Sequence, residues 1–186
     1  MQIDWPELTN LKIRWATALP EELRLAKKLR KLTLYGTAIV ELPEWLTELA
    51  ELRHLDVRYT KLRQLPASIG NLGNLTELHA SGTALASLPD SMGLLTELAH
   101  FDASHTSLVA LPEALSRLTR LQYLDCGYSN LVELPEWIGH LPELQYLDVG
   151  WTALASLPAS LGYQPSLRHL SIGGTQLDLL PDSGLF

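Results

Sequence analysis

The sequence predicts an α/β solenoid. The expected form is a right-handed, curved stack with a parallel sheet on its concave side and short helices or 3-10 turns on its convex side. Three observations predict it. Forty-three of the 186 residues are leucine. Eight of the eleven prolines, at 20, 43, 66, 89, 112, 135, 158 and 181, recur every 23 residues, and a fixed period of this size marks stacked repeat units. Within each repeat a short alternation of apolar and polar residues gives the period of a strand.

Aligned on proline, seven repeats begin at Leu29, Leu52, Leu75, Leu98, Leu121, Leu144 and Leu167. Residues 1–28 form an irregular N-terminal capping unit. There Leu8, Leu11 and Ile13 copy the leucine frame, but Pro20 arrives two residues early. Residues 29–181 carry the seven repeats, the last one truncated, and 182–186 form the C-terminal end. In each repeat, positions 4 and 6 are apolar and face inward, while positions 3, 5 and 7 face out. Position 9 is Thr37, Thr60, Thr83, Thr106, Ser129, Thr152 or Thr175. These hydroxyls are expected to form a buried polar ladder, bonding turn backbone in the repeat above or below. The Leu-Pro pair then opens the convex turn, with proline at a first helical position. No repeat buries its leucines alone, so neighbours must share one core. An open solenoid end exposes leucine. The C-terminal end is therefore expected to be covered by Leu185 and Phe186, by a second copy, or by further chain if the sequence is a fragment.

The repeat reads L-x-x-L-x-L-x-x-T-x-L-x-x-L-P-x-x-I/L-G-x-L-x-x. It resembles the 23-residue leucine-rich repeats of intracellular proteins over residues 8–181. Similar repeats occur in Ras-scaffold and Scribble-type polarity proteins. They also occur in plant immune receptors, whose G-T-x-I/L-x-x-L-P is matched by Gly36-Thr37 through Pro43 and Gly82-Thr83 through Pro89, and in bacterial effectors that join such repeats to a ubiquitin ligase domain. Position 9 departs from many members in carrying Thr or Ser rather than Asn. The resemblance implies a non-catalytic module that binds protein on the concave face. It also allows the substrate-recognition part of a larger effector ligase or an immune sensor.

Composition narrows the partner. A net charge of −7 argues against nucleic acid and anionic membrane, which both reward cations. No run of 18 apolar residues is present, and Met1-Gln2-Ile3-Asp4 lacks the form of a secretory signal. A lone cysteine, Cys126, suits a reducing compartment. A cytoplasmic setting is expected, the host's if the protein is a delivered effector. No cofactor is implied.

The outward columns hold the candidate site. Basic groups gather early, at Lys12, Arg14, Arg30, Lys31, Arg53 and Arg58. Carboxylates and aromatics gather later. The predicted partner-binding residues are Arg58, Tyr59, His79, His100, Asp102, His105, Tyr123, Asp125, Tyr128, Tyr146, Asp148 and Trp151. Exposed aromatics are the usual anchors of a protein interface. Small residues at position 7 from Ser81 onward are expected to leave room above the face. Asp102, Asp125 and Asp148 fall on successive strands, where adjacent pairs repel by roughly 3 kcal/mol before solvent screening. A partner with a basic segment would relieve that repulsion. The competing explanation is a solvated ladder left by repeat duplication.

An alternative of another class is a metal-dependent or hydrolytic site at the His100–His105 patch. His100, Asp102 and His105, with His79 and Asp125 on flanking strands, suggest metal ligands, and Ser104-His105 beside Asp125 holds the elements of a triad. Neither follows a known spacing. Cys126 occupies an inward position and should be buried and inert. Trp45 and Trp137 share a convex position, either as packing or as a second contact site. Trp5 is expected to cover the end of the core.

Overall fold

The computed structural model of the chain describes residues 3–177. The turn at Pro181 and the cap expected from Leu185 and Phe186 lie outside them. Eight three-residue strands form one parallel sheet in strict sequence order. They are β1 (Asn10–Lys12), β2 (Lys31–Thr33), β3 (His54–Asp56), β4 (Glu77–His79), β5 (His100–Asp102), β6 (Tyr123–Asp125), β7 (Tyr146–Asp148) and β8 (His169–Ser171). From β2 onward each residue pairs with the one 23 positions later, as in Lys31 with His54 and Asp102 with Asp125. Asn10 instead pairs with Lys31, a step of 21 that reflects the shortened first unit.

The convex side is made of 3-10 helices rather than α-helices. Typical ones are Glu44–Glu48, Asp90–Leu94, Glu113–Arg117 and Glu136–His140. Proline sits one residue earlier than expected, at the cap. Pro43 is extended (φ −67°, ψ 147°), and its carbonyl accepts the first helical bond, from the Leu46 amide at 3.0 Å. Its missing N–H is no loss there. Glu44 follows and reaches into the next repeat, where its carboxylate accepts the Ala67 amide at 2.7 Å and the Ser68 amide at 3.1 Å. Glu136 does the same for Ala159 and Ser160. These carboxylates satisfy amides that a short helix leaves orphaned.

One contiguous core runs between the two sides. Leu32, Leu55, Leu78, Phe101, Leu124 and Leu147, all at position 4, are fully buried. Each buried leucine side chain contributes about 1.5–3 kcal/mol by leaving water. Trp5 packs against the end of this core. Cys126 is fully buried as expected, and burial pushes its thiol far above the ordinary range. Trp137 is also buried, which makes it packing rather than a convex contact. Trp45 is partly buried, with the Arg24 guanidinium 6.0 Å from its ring.

The hydroxyl ladder is buried, but its bonds differ from the expectation. Thr60 donates to the Val57 carbonyl at 2.8 Å, Thr83 to Ala80 at 2.8 Å, and Thr106 to Ala103 at 2.8 Å. These hydroxyls close the turns of their own repeats, because the carbonyl three residues back is left pointing at them by the bend after the strand, while the buried Thr37 hydroxyl makes no hydrogen bond. At this turn the hydrogen bonds between repeats come from the backbone, as in the Tyr59 amide bonding the Ser81 carbonyl at 2.9 Å.

The glycine of the I/L-G pair has a packing role. A methyl group at Gly93 would collide with the backbone carbonyl of Ala114 in the next helix. Gly93→Ala should therefore lower stability by about 1–3 kcal/mol, measured as a shifted urea midpoint at unchanged slope.

Candidate functional site

The concave face carries two parallel rows of rings. The first is built mainly from position 3. His100 stacks on Tyr123 with centroids 4.0 Å apart, Tyr123 on Tyr146 at 4.3 Å, and Tyr146 on His169 at 4.4 Å, all within 10° of coplanar. On β4, position 3 is Glu77 instead, and the position-5 ring of His79 fills the gap. His79 lies 4.7 Å from His100 and 4.9 Å from His54. Six rings thus run without a break from β3 to β8. The parallel register stacks them, since equivalent side chains lie about 4.8 Å apart.

The second row follows each strand at position 8. Tyr128 is stacked between His105 (4.3 Å) and Trp151 (5.7 Å). Tyr59 packs edge-on against Tyr35 at 5.3 Å. Trp15, Tyr59, Tyr128 and Trp151 are all exposed. Every residue of this column has positive φ. Trp15, Tyr59, His105, Tyr128 and Trp151 lie between 53° and 59°, and Gly36, Gly82 and Gly174 between 68° and 71°. For a bulky L-residue that conformation costs about 1–2 kcal/mol. The glycines serve the aromatics beside them. A Cβ at Gly82 would sit 2.6 Å from the Tyr59 ring, and one at Gly174 would sit 2.6 Å from Trp151. The ring of one repeat lies flat over the bare backbone of the next.

The aspartates turn inward onto the backbone. Asp102 accepts the Ser104 amide at 3.0 Å, Asp125 the Gly127 amide at 2.9 Å, and Asp148 the Gly150 amide at 2.8 Å. The small residues at position 7 therefore do not open space above the sheet. They make way for the carboxylates: a Cβ at Gly127 would lie 3.0 Å from an Asp148 oxygen. Among the described residues no lysine or arginine pairs with Asp102, Asp125 or Asp148. Burial, reinforced by the charges of Asp102 and Asp148, pushes Asp125 up to about 6. Burial and the Asp125 charge likewise push the Tyr123 hydroxyl up.

Arg58 is engaged within the chain. Its Nε and Nη2 donate to the two Asp56 oxygens at 3.0 and 2.8 Å, and its guanidinium lies 5.5 Å from the Tyr35 ring. Burial pushes the Asp56 carboxyl up, but the Arg58 hydrogen bonds and charge outweigh it and hold the group below the ordinary range.

The His100–His105 patch does not assemble as suggested. His100 lies in the first row and His105 in the second, stacked on Tyr128. Ser104 Oγ bonds Asp102 Oδ1 at 2.7 Å and Ser81 Oγ at 2.9 Å, and no histidine bonds it among the described residues. The metal-type cluster that does converge among those residues is His54, Glu77 and His79. The sequence columns contain these residues, but Glu77 is the one carboxylate in a column made largely of rings, which hides it. Tyr35, His54 and His169 also join the rows, beyond the residues that the sequence predicted. The alternation of glycine and aromatics at position 8 is the sequence signal for the left-handed backbone.

The family model for the leucine-rich repeat region matches residues 16–125, more than half of the chain. The chain belongs to the leucine-rich repeat family. Its members are generally non-catalytic and typically serve as protein–protein interaction modules. No curated protein matches the sequence. Among solved structures, a leucine-rich repeat protein of Leptospira interrogans is 30% identical with a TM-score of 0.89, covering 95% of this chain and 45% of that one. The plant peptide hormone receptor RGFR1, in complex with RGF2, is 30% identical with a TM-score of 0.79, covering 86% and 27%. An internalin of Listeria monocytogenes shares the fold, at 15% identity and a TM-score of 0.69 over 94% of this chain and 57% of that one. This chain thus spans less than half the length of the first two.

Two outcomes follow from the site. At Tyr128 the positive φ should reverse the usual order of small residues, with Tyr128→Gly about 1 kcal/mol more stable than Tyr128→Ala by chemical denaturation. Asp125 is an acid whose folded pKa, about 6, exceeds its ordinary 3.8, so the folded state holds its proton longer than the unfolded chain. The contribution of Asp125 to stability is fully present below that lower value and is lost as pH rises through about 6. Solvent screening at this half-buried group keeps the change on the order of 1 kcal/mol. Urea titrations across this pH range should show it, and Asp125→Asn should remove it.

Proposed function

We propose that the chain is a non-catalytic recognition module that binds a protein partner on its concave face, through a segment rich in lysine or arginine. The observation that carries this reading is the combination of exposed rings in strained backbone with carboxylates that have no cationic partner. A scaffold gains nothing from holding Tyr128 and Trp151 at positive φ, whereas a binding surface gains rigid aromatic anchors. The aspartate column lies between the two rows, so a basic side chain inserted there would meet carboxylates below and the edges of the stacked rings on either side. Arg58 would orient the face at its basic end rather than donate to the partner, being held by Asp56. The complex of the plant peptide hormone receptor with RGF2 is consistent with a peptide-sized partner.

The same surface would serve as the recognition part of a longer effector ligase or immune sensor, a role that the partial coverage of the matched structures leaves room for. The setting proposed is a cytoplasm, its own or a host's, because a single thiol suits a reducing compartment.

The test is a displayed library of lysine- and arginine-containing peptides sorted against the labelled chain. A retained peptide should bind Trp151→Ala more weakly by about 2 kcal/mol, roughly thirtyfold. Asp125→Lys should abolish its binding. Retention of full affinity by both variants would exclude this surface.

A further inference from the structure

The geometry points to a zinc-binding site formed by His54, Glu77 and His79 at the β3–β4 end of the concave face. The three residues come from adjacent strands. His54 and Glu77 are direct register partners, and His79 lies two residues beyond Glu77 on the same face of β4. His54 Nδ1 lies 2.7 Å from Glu77 Oε2, and His79 Nε2 lies 3.1 Å from the same oxygen. One ligand atom from each residue falls within 4.8 Å of the other two. Zinc bonds of about 2.0–2.1 Å place tetrahedral ligand atoms roughly 3.3 Å apart. The two separations from Glu77 would have to open by about 0.6 and 0.2 Å, and the two histidine nitrogens lie within 4.8 Å of each other.

The donor types suit zinc. Two imidazoles and one carboxylate favour a borderline divalent ion over magnesium or calcium, which prefer all-oxygen cages. The histidine side chains are mostly buried, at 18% and 14% exposure, while Glu77 is half-exposed. The ligands sit on strands, so their positions are preset rather than gathered from a mobile loop.

The surroundings limit the site to three protein ligands. Asp56, across from His79, is occupied by Arg58. Lys31 faces His54 from β2 and opposes added positive charge. The His100 ring lies 4.7 Å from that of His79, tilted by 42°, and contributes no ligand atom to the group. A fourth coordination position therefore remains open toward the concave face. This places the site beside the proposed peptide surface but independent of it.

The test uses the full chain and zinc chloride alone, with isothermal titration calorimetry and cobalt substitution as readouts. The expected result is one zinc per chain, together with the intense visible bands of tetrahedral cobalt. Glu77→Gln and His79→Gln should each lose the stoichiometric site with unchanged circular dichroism. The glutamine at 79 retains an amide that can still bond Glu77, so a folding defect would not explain the loss. His140→Ala, on the convex side, should bind as the unmodified chain does. The site is refuted if the chain takes up no stoichiometric zinc, if both glutamine variants retain it, or if magnesium binds equally well.

Discussion

The parallel register between repeats is the constraint on which the rest of the structure depends. Residue i of one repeat is held beside residue i + 23 of the next by backbone bonds that no side chain can alter. Every chemical choice at one position is thereby copied into a column with a spacing of about 4.8 Å. Inward columns become a continuous leucine core. Outward columns become ladders of like groups, favourable for stacked rings and unfavourable for stacked carboxylates. A small rotation from each repeat to the next curves such a stack and makes the ladders line a concave surface.

The site is a consequence of how the chain leaves each strand. The backbone must turn sharply after position 7, and it does so through a left-handed residue at position 8. The aspartate at position 5 stabilises that turn by accepting the amide at position 7, as Asp56 does for Arg58, Asp125 for Gly127 and Asp148 for Gly150. The aspartate column is therefore structural in its near contacts. Burial, with the neighbouring charges of Asp102 and Asp148, raises the pKa of Asp125. The column thus has two characters at once: the carboxylates brace the turns, and their charge is still without a cation. The aromatic residues at position 8 have no such structural need, since glycine occupies the same backbone at Gly36, Gly82 and Gly174.

The two ends of the concave face differ in chemistry for the same reason. Near β3 and β4 the columns hold histidine, glutamate and arginine, and these pair with one another. From β5 onward they hold tyrosine, tryptophan and aspartate, which stack but do not neutralise. A ligand for the first end is a cation small enough to replace a hydrogen-bond network. A ligand for the second end is a basic chain long enough to cross several strands.

The sequence by itself determined the solenoid, its period, the parallel sheet, the inward leucines and the set of side chains available to the concave face. A rigid repeat makes position within the unit equivalent to direction in space, so the leucine and proline pattern carried that information completely. It also located most of the aromatic surface, because Tyr123, Tyr146, Tyr128 and Trp151 recur in fixed columns. Only the tertiary structure decided how those side chains are used. It bound Arg58 to Asp56, folded the aspartates onto turn amides, kept the bonds of Thr60, Thr83 and Thr106 within their own repeats, and moved the metal-type cluster from His100 and His105 to His54, Glu77 and His79. These outcomes depend on rotamers and on distances between strands, and a columnar pattern holds neither.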